Sequence, residues 1–380
     1  MTTELQQTKG TFKLIGKVTN IDRENNYVEK IAERGKRKGD PQRQLRFGVR
    51  TSTTNEIQVG MFSYEPEEVF LWNSTKRKDN PSYKGERVEY SKWSKNRKNY
   101  EQSGTVPLQT KIGIEYATDE KGKLKVQTQN LPTYDAMEYI HEHLYNGDSI
   151  VVEGDISYNT YENKQGQMVT STNYNVTSLF KLKKEVDFES EDFEETSLFV
   201  QEMVFVDAEN FKKESKAEIT GRIIAYNKQY VDADFTINYE HDDEANTFKK
   251  MAEAYAKAVK FGSLIKVHGN IVNRAVTNMV EADDGDKNDI LAMLSGEKNR
   301  MEAVTTYQRF MEIRGTDDLE AGVYDEDDFT SENDKLVEEV TEDEDDALGD
   351  LRGNGKSKVS DDPFGADSDD FEIDDDSLPF

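Results

Sequence analysis

The chain has 380 residues, of which 34% are hydrophobic, a net charge of −28 at neutral pH and no cysteine. That length allows two modest domains plus a solvated segment, and the missing cysteine excludes disulfides and thiolate zinc sites. The opening MTTELQQTKG has no apolar signal core and no run approaches the roughly 18 apolar residues of a membrane span, so the expectation is a soluble, cytoplasmic protein with no membrane partner.

The charge is unevenly placed. Residues 316–380 carry 26 acidic and 4 basic side chains, residues 186–315 carry 26 and 16, and residues 1–185 carry 25 and 29. A mildly basic first part is thus masked by an acidic end, and the whole-chain charge does not argue against a nucleic-acid partner.

Taken in chain order, FKLIGKVTNI (12–21) sets Phe12, Leu14 and Val18 on one face and Lys13 and Lys17 on the other. RQLRFGVRT (43–51) alternates Leu45, Phe47 and Val49 against Arg46 and Arg50, and EIQVGMFSY (56–64) alternates Ile57, Val59 and Met61 against Gln58, Phe62 and Tyr64. A period of two predicts three strands with one buried face each. A polar, basic insertion follows over about residues 65–132. TYDAMEYIHEHL (133–144) then predicts a helix with Thr133 as N-cap. DSIVVEGDISY (148–158) and QMVTSTNYNVTSLFKL (167–182) predict strands four and five. Three strands, a helix and two strands match an oligonucleotide/oligosaccharide-binding (OB) barrel.

The pattern is then expected to repeat after a charged linker, KKEVDFESEDFEET (183–196). AEITGRIIAY (217–226) is read as a counterpart of the first strand, with Gly221 answering Gly16, and VDADFTINY (231–239) as strand two. FKKMAEAYAKAVKFG (248–262) answers the first helix, GSLIKVHGNIVNR (262–274) answers GDSIVVEGDISYN (147–159), and TYQRFMEIRG (306–315) closes the second unit. The expected fold is therefore mainly β with short helices: two OB-fold-like five-stranded barrels, at 1–185 and 186–315, plus a disordered acidic tail at 316–380.

The outer face of strands two and three is where an OB barrel receives its ligand. In the first unit that face is expected to carry Arg46, Arg50, Phe62 and Tyr64 beside Lys13 and Lys17. Rings stack on unpaired bases and cations follow phosphates. The loop ERGKRKGDPQR adds Arg34, Lys36, Arg37, Lys38 and Arg43. The insertion adds Lys76, Arg77, Lys78, Lys84, Arg87, Lys92, Lys95, Arg97 and Lys98, interleaved with Tyr83, Tyr90 and Trp93 and flanked by Trp72 and Tyr100. This composition suits a flexible arm that folds over a single strand. In the second unit Asp232 and Asp234 face outward and would repel phosphates, which leaves Arg222, Tyr226, Lys228 and Tyr230 to help; the first unit is expected to do most of the binding.

Catalytic signals are weak. GNGKSK (353–358) lacks the upstream Gly of a phosphate loop, ADDGDKND (282–289) lacks the calcium-loop register, and His141 and His143 diverge on their helix. No catalytic residue, metal site or cofactor is expected, and the protein is not read as an enzyme.

The chain ends in FEIDDDSLPF. Asp374, Asp375 and Asp376 hold the tip extended, and Leu378, Pro379 and Phe380 offer apolar surface beside a free carboxylate. This tip, on a chain with two expected OB barrels, resembles the C-terminus of bacterial and phage single-stranded DNA-binding proteins. The duplicated units and the long insertion depart from the compact bacterial form and point to a divergent, phage-type member. The resemblance implies coating of single-stranded DNA in replication, recombination and repair. It also implies recruitment of helicase, primase, polymerase or recombinase partners through the tip. A homo-oligomer is compatible with the sequence. Two rivals stand beside this reading: a recombination mediator or strand-annealing protein, and an OB-fold protein-binding adaptor.

Overall fold

The computed structural model describes residues 3–118, 122–162, 168–281 and 301–329. Within them the molecule is mainly β. The first part contains β1 (Gly10–Thr19), β2 (Tyr27–Ile31), β3 (Pro41–Arg50) and β4 (Glu56–Tyr64). The insertion contributes β5 (Glu68–Trp72), α1 (Ser74–Asp79), β6 (Glu86–Glu89), α2 (Tyr90–Gln102), β7 (Val106–Pro107), β8 (Thr110–Thr118) and β9 (Leu124–Leu131). Then come α3 (Thr133–His143), β10 (Ser149–Glu162) and β11 (Met168–Lys181). The second part is β12 (Thr196–Phe211), β13 (Lys216–Ile224), β14 (Tyr230–Asn238), α4 (Thr247–Ala258), β15 (Leu264–Glu281) and β16 (Met301–Glu320).

Strand pairing closes two circuits. In the first, β1 pairs β3, β3 pairs β4, β4 meets β11 in parallel, β11 pairs β10 and β10 returns to β1. In the second, the same cycle runs β12, β13, β14, β16, β15 and back to β12, again with one parallel step, between β14 and β16. The period-two apolar sets explain the closure. Phe12, Leu14, Val18, Leu45, Phe47, Val49, Ile57, Val59 and Met61 are all buried, and α3 adds Ala136, Met137 and Ile140 to the same core.

The fourth strands share the repeated plan most directly. Gly154 in β10 and Gly269 in β15 both sit at a register shift, and at each a Cβ would strike a carbonyl of the fifth strand, of Asn175 and Glu312 respectively. A glycine at a bulge lets the strand bend around a small barrel-like core. The expected match of 147–159 with 262–274 therefore holds in space.

Other expectations of the second part need correction. AEITGRIIAY lies in β13, the second strand of its circuit, and VDADFTINY lies in β14, the third. The first strand is β12, so Gly221 and Gly16 are not counterparts. Segment 183–196 is not a solvated linker either: Val186 is buried and Phe188 and Phe193 pack with it over Ile15, Val151 and Leu182. The fold also runs past residue 316, because β16 continues to Glu320 and Tyr324 and Phe329 pack with Leu5, Val204, Ile224 and Tyr230. The rest of the expected tail, 330–380, with GNGKSK and the tip residues Asp374, Asp375, Asp376, Leu378, Pro379 and Phe380, lies outside the described residues, as does ADDGDKND.

The circuits join edge to edge. β1 and β12 run antiparallel with Phe12 opposite Phe199 and Thr11 opposite Val200, so one sheet and one core pass through both. Each circuit also reaches onto the other. Thr170 of β11 donates to the Asp232 carbonyl of β14 at 3.4 Å. In return β15 docks on the loop before β4, where Asn55 Nδ2 donates to the Ile271 carbonyl (2.9 Å) and to Glu195 (2.7 Å), and Asn55 Oδ1 accepts from Asn273 N (2.6 Å). Asn273 Nδ2 in turn donates to the Glu56 carbonyl at 2.6 Å. Asn55→Ala strands several buried polar groups and is expected to cost about 1–3 kcal/mol. Urea unfolding measures it, and an unchanged midpoint would remove this clamp from the account.

Candidate nucleic-acid interface

The register of β3 and β4 decides which side chains share the outer face. Gln42 lies opposite Tyr64, Gln44 opposite Phe62, Arg46 opposite Gly60, Gly48 opposite Gln58 and Arg50 opposite Glu56. Because facing pairs alternate sides, these five pairs point away from the core. Arg46, Phe62 and Tyr64 are half-buried, and the two rings meet edge to face at 5.2 Å. With the Gln44 amide turned so that its oxygen faces Arg46, that oxygen accepts from Nε and Nη2 at 2.6 Å and fixes the guanidinium. Arg50 is exposed and pairs with Glu56 at 3.2 Å.

The basic loop sits at the tip of the β2–β3 hairpin, whose first strand, β2, sequence patterning left as loop. Arg37 lies 4.8 Å from the Tyr64 ring centre and donates to Asp40 and to the Glu65 carbonyl. It therefore carries the loop to the end of the aromatic pair. Arg34, Lys36 and Lys38 are exposed around it.

Arg43 is a correction. It lies in β3 but points to α3, where it is buried against Glu29 (3.2 Å), Glu138 (3.1 Å) and the Tyr134 carbonyl (3.2 Å), with its guanidinium 4.1 Å from the Tyr134 ring centre. Burial works against its charge, and the Glu29 hydrogen bond with the neighbouring Tyr27, Tyr134 and Glu138 outweighs that and holds it above its ordinary value. Burial also pushes the adjacent Tyr27 phenol up to about 12, so it stays protonated against Glu29. Arg43 is a structural cation and is not available to a ligand. Lys13 and Lys17 are engaged as well, with Glu153 (2.9 Å) and Glu185 (2.7 Å). Thr133 does not cap α3; Pro132 occupies the cap, and the Thr133 N–H donates to Gln109.

The insertion is folded, which overturns the expected flexible arm. β5, β6 and β7 form a small sheet, and Val69 and Leu71 on one side bury Trp93 of α2 completely. Trp93 Nε1 (3.2 Å) and the Tyr90 hydroxyl (2.5 Å) both donate to Asp135 in the first turn of α3 and tie the insertion to the first circuit. Trp93 and Tyr90 thus serve packing, contrary to the sequence reading. The other side of the small sheet keeps Phe70 and Trp72 half-buried, with Tyr83 5.6 Å from Trp72, Arg77 over Trp72 and Lys76 over Tyr83. Phe70 is missing from the sequence reading. Lys76 pairs with Glu86, Arg87 with Glu68, Lys92 with Glu89 and Arg97 with Glu101, and the Lys78, Lys84, Lys95 and Lys98 side chains lie at the surface.

The corresponding face of the second circuit is polar and acidic. Asp232 and Asp234 point outward; Arg222 grips Asp232 through two bonds (2.7 and 2.8 Å) and Thr220 donates to Asp234 (2.9 Å). Tyr230 is buried and Lys228 pairs with Glu4. His141 and His143 stack on Tyr27 and Tyr139. Among the described residues no cluster of three or more metal-ligating side chains occurs, and no helix is long and apolar enough to cross a membrane.

Sequence patterning also misses a groove beside the β3–β4 face. β4 and β11 touch at one registered pair, Gly60 and Asn175, and then part. The gap of about 130 Å³ is lined by Arg46, Gln58, Val59, Gly60, Thr172, Asn173, Tyr174 and Asn175.

A comparison with curated proteins finds no match. Among solved structures, the chain is similar to a deletion mutant of the single-stranded DNA binding protein from Thermus aquaticus, at a TM-score of 0.35 and 12% identity, covering 86% of this chain and 100% of that one. The YorF family profile matches residues 9–346, most of the length, and the protein belongs to the YorF family.

Proposed function

We propose that this protein binds single-stranded nucleic acid, single-stranded DNA in the first place, across the outer face of β3 and β4, with no chemistry of its own. One observation carries the reading: Arg46, Phe62 and Tyr64 share that face, and the basic β2–β3 tip is held against Tyr64 through Arg37. Flat rings take unpaired bases of any identity, and the surrounding cations take the phosphates. The two closed circuits, each with a helix between its third and fourth strands, are read as OB-type barrels, whose ligand face is this one. The Trp72–Tyr83 patch is a second contact, and the acidic face of the second circuit is a poor one. Coating of exposed strands in replication, recombination and repair is the setting that fits, with replication and repair enzymes recruited through residues 374–380.

The test is a titration of oligo(dT), oligo(rU) and duplex DNA at two salt concentrations. Tight binding of oligo(dT), weak binding of duplex and a log–log salt slope of about −0.7 per neutralised phosphate are expected. A flat salt response, or equal affinity for duplex, would overturn the reading. Truncation after residue 329 leaves the described fold whole, and loss of the acidic residues beyond it is expected to tighten binding at low salt.

A further inference from the structure

We infer that the groove between β4 and β11 is a hydrogen-bonding socket for the edge of an unpaired nucleobase, and that the second circuit completes it with Arg309. The inference rests on the single-strand reading above and goes beyond stacking, which is indifferent to base identity.

Amide side chains line the groove where an ordinary strand junction would be sealed. Asn173 and Asn175 both line it, and each carries a buried side-chain atom without a hydrogen-bond partner among the described residues: the donor Nδ2 of Asn173 and the acceptor Oδ1 of Asn175. Asn175 is otherwise anchored, since its Nδ2 donates to Ser157 at 2.9 Å. Buried polar atoms are nearly always paired, so an unpaired donor and acceptor two residues apart on one strand mark a place where a ligand supplies the partners. A base edge presents donors and acceptors side by side, which side-chain amides match in pairs. Arg46 and Gln58 stand on the opposite wall, and Phe62 lies next to Arg46 on the outer face, so a strand stacked on the rings has its neighbouring base beside the groove.

Arg309 comes from β16. Its Nε donates to Asn273 Oδ1 at 3.0 Å, and Asn273 is fastened to the Glu56 carbonyl at the start of β4. Arg309 is exposed, and its charge is felt at Tyr174 in the groove, where it opposes the rise that burial imposes on the phenol. A cation held by Asn273 at the start of β4, the strand that lines the groove, is placed for the phosphate that follows a seated base. Glu56, at the start of β4, is occupied by Arg50, Asn20 and Gln58.

The full chain, an Asn173→Ala/Asn175→Ala variant, a Gln58→Ala variant and an Arg309→Ala variant would be titrated with 20-mers of dA, dC and dT and with an abasic 20-mer. The wild type is expected to rank the three base-bearing oligomers over a range of about 5-fold or more. The asparagine pair variant should lose that ranking and keep its affinity for the abasic strand. Gln58→Ala, at an exposed position that spares the fold, should reduce the ranking in the same direction. Arg309→Ala should weaken all four, abasic included, and flatten the log–log salt slope by about 0.7. Binding of all three base-bearing oligomers by both amide variants with the wild-type ranking would overturn the socket. Unchanged slope in Arg309→Ala would remove the second circuit from it. A wild type that binds no oligomer at low salt would instead overturn the single-strand reading itself.

Discussion

Replacing Phe62 and Tyr64 together by alanine is expected to weaken oligo(dT) binding by about 5- to 150-fold for each stacked base lost, since a ring–base stack is worth roughly 1–3 kcal/mol. Both rings are half-buried and touch each other edge to face, so the single variants should each show much of the loss and the pair should be non-additive. The rings carry no charge. The salt slope should therefore stay at its wild-type value while the affinity falls, the opposite of the pattern expected for Arg46→Ala. Neither ring belongs to the buried core, so thermal stability should change little. A double variant that binds oligo(dT) like the wild type, with an unchanged melting temperature, would take the β3–β4 face out of the mechanism.

Trp93→Ala should have the largest effect on stability. The side chain is completely buried between β5 and α2, and its Nε1 holds Asp135. Truncating a buried Trp costs about 3–5 kcal/mol, and α2 buries no other side chain completely. The loss should fall on the insertion first, because the strand circuits keep their own core. Limited proteolysis between residues 73 and 105 should accelerate well before the urea midpoint of the circuits moves. Protection at the wild-type rate would show that the insertion is held by other contacts. The same burial fixes how fluorescence titrations are read. Trp93 cannot meet a base, so quenching by oligo(dT) reports Trp72 alone and should vanish in Trp72→Phe.

How much of this is legible in the sequence depends on how local each signal is. The alternation of Leu45, Phe47 and Val49 against Arg46 and Arg50, and of Ile57, Val59 and Met61 against Phe62 and Tyr64, is a period-two pattern within single strands, and it places the outer face correctly. β12 escapes for a physical reason. It pairs β1, β15 and β13, and its Met203, Val204 and Phe205 are buried consecutively, so no alternation survives. That omission shifts the expected strands at 217–226 and 231–239 by one place and leaves those at 262–274 and 306–315 in position. Arg43 resembles its neighbours in the basic loop until α3 supplies Glu138 and Tyr134. The sequence of α2 is so polar that nothing local marks Trp93 as its anchor. The groove depends on two strands parting after one pair, a property of closure that no window of sequence contains.

The interlacing of the circuits separates the repeated strand plan from the unit that folds. Leu5 and Thr8, at the start of the chain, pack and bond with Ile224, while Val186 and Phe193, from the start of the second half, cover Ile15 and Val151. Cutting the chain near residue 185 would therefore leave each fragment with a bare strand edge, β1 or β12, and with an apolar surface whose cover belongs to the other fragment. Such edges template pairing. The two fragments carry matching deficits and would recover a native-like assembly only in each other's presence, so the two circuits are expected to melt together even though each follows the same strand plan.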